Sequence, residues 1–426
     1  MKVLVYPHAT GIGGSQLNAV EIAAAVRDRG HEVLVVSRSG PLVGTIERLG
    51  LPHVLLDARA SRRPSGLAAA QLTVLARRWG CDIVHGYEWP PGVEAFAGCR
   101  LRLGLPVVCS VMSMAVAPFL PRTMPLIVGT GQIRDTALGA GRPHVTLIEP
   151  PVDVRANAPG YDPGSFSRDL GLRPDVPLVT VVSRLATELK LEGLLAACDA
   201  VGELASTGTP VQLVVVGDGQ ARPLVERAAG LANARAGQAV VTLAGLMADP
   251  RPAYAAADIV LGMGGSALRG LAFAKPVVVL GEHGFCELAA PQSLPMFGRQ
   301  GWFGIGPGDQ GRAEAAARLV TILRGLLGDS QRQAALGQFG RSLVIDRYSL
   351  DRAAQTQLEA YGRAASAAAG VSRRELTADA ARTGVGVARY KAVRKWQRWR
   401  GTAAVDDFNT LARMRAPARN TGQEQQ

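Results

Sequence analysis

The chain has 426 residues, 47% of them apolar and 5% aromatic, and a formal net charge of +12. That length passes the roughly 250–300 residues at which one hydrophobic core stops growing, so two domains are expected, and the apolar fraction argues against disorder except at the end of the chain. Five scattered cysteines (Cys81, Cys99, Cys109, Cys198, Cys286) with no C-x-x-C pair exclude a disulfide framework and a zinc site, and no nucleic-acid-binding motif accompanies the basic excess.

In chain order, residues 2–6 read as a buried strand, followed by a glycine turn, Gly11-Ile12-Gly13-Gly14-Ser15, and then Leu17, Val20, Glu21 and Ala24 at helical spacing up to Gly30. His31 to Val36 is the next strand, which completes a βαβ unit whose loop sits at the carboxyl ends of parallel strands, where ligands bind. No leader peptide is expected before the first strand, no apolar run approaches the ~20 residues of a membrane span, and a cytoplasmic chain is expected. Further strands are expected at 82–85, 106–111, 126–128 and 145–148. A stretch rich in Pro, Gly and Asp, Pro150 to Pro177, reads as a hinge.

The alternation restarts at 178–182 and continues with strands at 211–216, 240–243, 258–261 and 276–280, which makes a second α/β domain. The expected division is 1–155, 156–345, a C-terminal helix at 346–368 that packs back toward the first domain, and a basic amphipathic tail at 369–426.

Three loops of the second domain carry candidate chemistry. Arg184 and Lys190 leave the end of one strand and enter a helix, a placement from which both cations can meet phosphates. Gly217-Asp218-Gly219 ends the next strand, with Asp218 readable as a helix cap or a ligand contact. Gly262-Met263-Gly264-Gly265-Ser266 precedes a helix that carries Arg269. Its amides suit an oxyanion, and Ser266 suits both an N-cap and a phosphate hydrogen bond. A diphosphate is the ligand these donors favour.

At these residues the chain resembles glycosyltransferase family four, a GT-B family, over about residues 1–362. The carriers are Gly13-Gly14, Arg29-Gly30-His31-Glu32-Val33, Asp82-Ile83-Val84-His85, Pro151-Val152-Asp153, Ser183-Arg184-Leu185 with Lys190, Val216-Gly217-Asp218-Gly219, Ala256-Ala257-Asp258 and Ala274-Lys275-Pro276-Val277-Val278. The resemblance implies an α/β fold of two Rossmann-like, doubly wound domains facing across a cleft. It also implies an enzyme that transfers a sugar, with retention, from a UDP- or GDP-sugar to a glycan, lipid-linked or small-molecule acceptor. No cofactor and no metal is implied.

By the same resemblance, Arg184 and Lys190 clamp the leaving diphosphate. Gly14, Gly217, Leu246, Met247, Gly264, Gly265, Ser266, Arg269, Gly284 and Glu287 complete the donor side, with Leu246-Met247 near the base and Glu287 near sugar hydroxyls. His85, Tyr87 and Glu88 lie on the acceptor side. The chain departs from the family pattern at both members of its glutamate pair, the second replaced by Arg269. Met112 and Tyr87 stand where the family has histidines. The rival readings are a catalytically idle nucleotide-sugar binder and a sugar-nucleotide epimerase.

The charge is uneven: residues 371–426 hold 12 Lys/Arg against 5 Asp/Glu. Residues 387–400 carry six cations and no acid, with Val387, Tyr390, Val393 and Trp396 along one drifting helical stripe. The stripe either meets an anionic membrane surface through residues 385–400, at the inner face of the membrane, or packs on the protein's own domains.

Overall fold

The computed structural model describes residues 1–8, 13–57, 63–307, 311–401 and 408. They form two compact units, Met1–Ile148 with Ala354–Gln426, and Glu149–Ala353.

The first unit holds a seven-stranded sheet: β1 (Lys2–Tyr6), β2 (Glu32–Ser37), β3 (His53–Leu55), β4 (Ile83–Tyr87), β5 (Val107–Val111), β6 (Leu126–Val128) and β7 (Val145–Leu147). The strand order is β3-β2-β1-β4-β5-β6-β7, and every pairing is parallel. Strands covered on both faces read as near-continuous apolar runs, and β4 and β5 are wholly buried, with His85 and Ser110 as their polar members. Helices between the strands have readable ends. The helix Gly66–Trp79 starts at Ser65, whose side chain accepts from the Ala68 amide, and stops at Gly80 in the left-handed region at φ 68°. The strand order reverses between β1 and β4, so their carboxyl ends open a crevice.

Two C-terminal helices join this unit. The helix Leu350–Gly370, from Ala354 onward, supplies buried Gln357 and Tyr361 to the sheet. The helix Arg373–Trp399 begins with a capping box, in which Ser372 and Glu375 satisfy each other's backbone amides. Its buried Asp379 accepts from both the amide and the hydroxyl of Thr123, each at 2.7 Å, and Leu376, Ala380, Val387 and Tyr390 pack on the core of the unit.

The second unit holds β8 (Leu178–Val182), β9 (Gln212–Val216), β10 (Val241–Gly245), β11 (Ile259–Gly262), β12 (Val277–Leu280) and β13 (Cys286–Leu288), in the order β10-β9-β8-β11-β12-β13. All pairings are parallel except β12 with β13. Small residues let its helices approach closely: a side chain on Gly202 would stand 2.9 Å from Ala232 of the next helix. The hinge stretch is tied into this unit. Val152 exchanges backbone bonds with Tyr348 and Leu350, and Arg341 donates to the carbonyls of Val154, Asn157 and Ala272 at 2.8 Å each. Here the order turns between β8 and β11.

All five cysteines are free and buried. Among the described residues no helix is long and apolar enough to cross a membrane.

Candidate functional site

At the turn in strand order of the second unit, two adjacent parallel strands end side by side. β8 runs out into Ser183-Arg184, and β11 runs out into Met263-Gly264. Arg184 is exposed, and Lys190 is half-buried at the head of the helix Leu191–Ser206. Desolvation pushes the Lys190 ammonium down to about 8. The positive charge of Arg184 pushes it the same way, and the carboxylate of Glu282 opposes both. Two cations held close enough to disfavour each other are an arrangement that an anion relieves.

The backbone beside them is built for close approach. Gly217, at φ 139°, lies against the Ser183 carbonyl, where a β-carbon would collide with it, and its amide donates to Gly245 at 2.8 Å. Gly217 therefore shapes the Arg184 loop while its own N–H is engaged. Asp218 accepts from the Gly219 amide and pairs with Arg222, while the following helix is capped by Ala221, so Asp218 is no helix cap.

The helix Gly265–Ala272 has Gly264 as its N-cap, at φ 59° and ψ −129°, a conformation that glycine alone adopts readily. Ser266 is not the cap: its hydroxyl accepts from the Met263 amide and donates to the Met263 carbonyl. First-turn amides face the carboxyl edge of the sheet, and the Arg269 guanidinium folds back to 3.4 Å from the place a Gly265 β-carbon would take. Leu246 is exposed and Met247 half-buried just past the end of β10, on the same edge.

Two expected donor residues are engaged elsewhere. Glu287 lies on β13 and pairs with Arg318 at 3.2 Å, and the Gly284 amide donates to Glu192 at 2.7 Å. The sequence reading missed Glu282, which is 4% exposed and whose carboxylate accepts from the Leu189 amide at 3.1 Å. Leu189 sits at φ 65°, so Glu282 holds a left-handed turn directly before Lys190. Glu192, two residues after Lys190, reaches back to Gly284. Two carboxylates thus stitch the Lys190 turn and the 282–284 loop together in both directions.

In the first unit, Gly14 is exposed at the first turn of the helix Gly14–Asp28, whose N-cap Gly13 offers no side chain. Gly11 and Ile12 of the expected glycine turn lie outside the described residues. His85 and Tyr87, two apart on β4, share one face and point into packing. His85 is fully buried, with its ring nitrogens on Tyr361 and Ser110, and desolvation drives it down to about 3, so it stays neutral. Tyr87 stacks on His85 at 4.4 Å and donates to Gln357. Neither side chain is open to an acceptor, because each is spent on the helix or strand beside it.

Glu88 differs. It follows β4 at φ 68° and accepts from the Ser15 hydroxyl (3.1 Å), the Met112 amide (3.0 Å) and the Ser113 hydroxyl (2.8 Å). Nearby, Tyr6 donates to Glu94 at 2.7 Å under the Arg63 guanidinium, and burial raises Glu94. The carboxyl edge of β1 and β4 is therefore lined with acids and hydroxyls.

The family model for Glycosyltransferase Family 4 matches residues 12–154, and that for Glycosyl transferases group 1 matches residues 176–324. A 2-deoxystreptamine glucosyltransferase of Streptomyces kanamyceticus is 25% identical over 363 residues, covering 76% of this chain and 89% of that protein. Among solved structures, a glycosyltransferase from Rickettsia africae ESF-5 superposes with a TM-score of 0.67 at 16% identity, over 85% of this chain and 98% of that one. Anabaena HepE in complex with UDP-glucose gives 0.63 at 18%, over 85% and 100%. With its two largely parallel α/β sheets and C-terminal helical extension, the chain belongs to the family-four glycosyltransferases and has the GT-B fold, and it is an enzyme of glycosyl transfer.

Proposed function

We propose that the donor is a nucleoside-diphosphate sugar, with UDP or GDP as the leaving group, and that the second unit holds it. The observation that carries this reading is the placement of Arg184, Lys190 and the start of the Gly265–Ala272 helix together at the carboxyl edge of β8 and β11. HepE, a structural neighbour, is solved with UDP-glucose bound, which supports the same donor class.

The bond between the sugar's anomeric carbon and the diphosphate oxygen breaks, and the electron pair leaves on that oxygen. The acceptor hydroxyl forms the new bond, and its proton passes to the departing diphosphate oxygen. The developing charge meets Arg184, the Lys190 ammonium, Arg269 and helix-start amides, so this reading invokes no metal. Retention of configuration rests on the family resemblance. Leu246 and Met247 flank the base, and the Glu88 edge of the first unit serves the acceptor, which is a glycan, a lipid-linked acceptor or a small molecule. With a lipid-linked acceptor, an anionic membrane surface at residues 385–400 would bring the enzyme to its substrate.

The test is release of nucleoside diphosphate from UDP- and GDP-sugars with panels of acceptors. Arg184→Ala is expected to slow release about a hundredfold or more, the size of losing one positioned donor. Nucleotide binding with no release on any acceptor would favour the idle binder instead, and epimerised donor without transfer would favour an epimerase.

A further inference from the structure

The helix Arg373–Trp399 has two opposed faces. One is committed: Asp379 and Thr383 are buried, Val387 and Tyr390 join the core, and Gly386 lies so close to Phe119 that a β-carbon would collide with it. At about 100° per residue, Val385, Ala388, Ala392, Trp396 and Trp399 fall within about 80° of one another on the other side. There Trp399 is 81% exposed, Val385 71% and Trp396 49%. Tryptophans left in water on a helix already docked by its far side do not serve the packing of this unit.

The flanks of this stripe are cationic. Arg389 and Arg400 lie along one border, Lys391, Lys395 and Arg398 along the other, and no acid occurs from 387 to 400. The Arg400 guanidinium covers the Trp396 ring at 4.1 Å from its centroid, so charge and aromatic surface are presented together. A nucleic-acid groove would use such cations but would leave the Val385, Ala388 and Ala392 part of the stripe without a partner. Apolar side chains with amphipathic tryptophans, bordered on both sides by cations, match a bilayer interface bearing anionic headgroups.

We propose that the outward face of this helix, from Val385 to Arg400, lies in the plane of an anionic lipid surface, with Trp396 and Trp399 at headgroup depth. The docked face then fixes how the first unit is presented to the membrane. This surface belongs to the first unit and the diphosphate clamp to the second, and they share no residue, so its test can fail or succeed without the donor reading.

The experiment is cosedimentation of the full chain with vesicles of phosphatidylcholine alone or with a third phosphatidylglycerol. Binding is expected only to the anionic vesicles and is expected to weaken with added salt. It should fall at least tenfold both in Trp396→Ser/Trp399→Ser and in Arg389→Gln/Lys395→Gln. Melting temperature and UDP affinity are expected to be unchanged in both variants, since the substituted side chains are exposed. Equal binding to neutral vesicles, or full binding retained by either variant, overturns the proposal. So does duplex DNA binding that depends on Arg389 and Lys395 but not on the tryptophans, because it would give the face to nucleic acid.

Discussion

Lys190 gives the donor reading a pH dependence that can be worked out in advance. Its ammonium is lowered from the ordinary lysine value to about 8, by desolvation first and by Arg184 second, with Glu282 opposing. A lowered value means that the charged form is lost earlier as pH rises. The group is about 90% charged at pH 7 and about 10% at pH 9. If only the ammonium holds the diphosphate, UDP affinity falls about tenfold between those pH values, or about 1.4 kcal/mol. In Lys190→Arg the guanidinium stays charged and the profile should be flat. In Glu282→Gln the side-chain oxygen can still accept from the Leu189 amide, but the charge that raises Lys190 is gone, so the midpoint should move to lower pH. Titration calorimetry with UDP at pH 7, 8 and 9 reads all three. Parallel loss of affinity in wild type and Lys190→Arg, or an unmoved midpoint in Glu282→Gln, would rule out Lys190 as the titrating group.

Gly217→Ala is expected to cost about 3 kcal/mol in denaturant unfolding and to weaken UDP binding, since a β-carbon at φ 139° would strike the Ser183 carbonyl and displace Arg184. His85 has a depressed folded value, so the stability it brings is complete above about 6.5 and is lost as pH falls toward about 3. That loss should reach about 2 kcal/mol at pH 5 relative to neutral, and His85→Gln should flatten the acid limb of thermal melts. Asp379→Ala strips the Thr123 amide and hydroxyl of their buried acceptor, so a loss of about 2 kcal/mol and faster proteolysis within 373–399 are expected.

What could be read from the chain follows from which interactions are local. Parallel strands covered on both faces must be apolar runs, and runs such as 126–128 and 178–182 coincide with β6 and β8 to the residue. The two strands not foreseen, β3 and β13, lie at sheet edges and are only partly buried, so a polar residue, His53 in one and Glu287 in the other, interrupts each and no apolar run marks them. The strand expected at 82–85 stops at His85, and the family resemblance puts His85, Tyr87 and Glu88 together on the acceptor side. Two more strand residues place it and Tyr87 on one buried face, and the loop chemistry passes to Glu88.

The tail stripe was legible only in part, because a spacing of three slips about 60° backward at each step. Val387 and Tyr390 therefore face the core while Trp396, three steps along, is exposed, so the packing reading holds for one side of the helix only. Glu282 lies beyond any local signal, since nothing in the spacing of 189 and 282 says that they touch. Strand order brings them together: β8, β11 and β12 are neighbours with one polarity, so whatever follows each strand gathers on one edge. A buried acid directly after such a strand is therefore a candidate to steer whatever cation follows another.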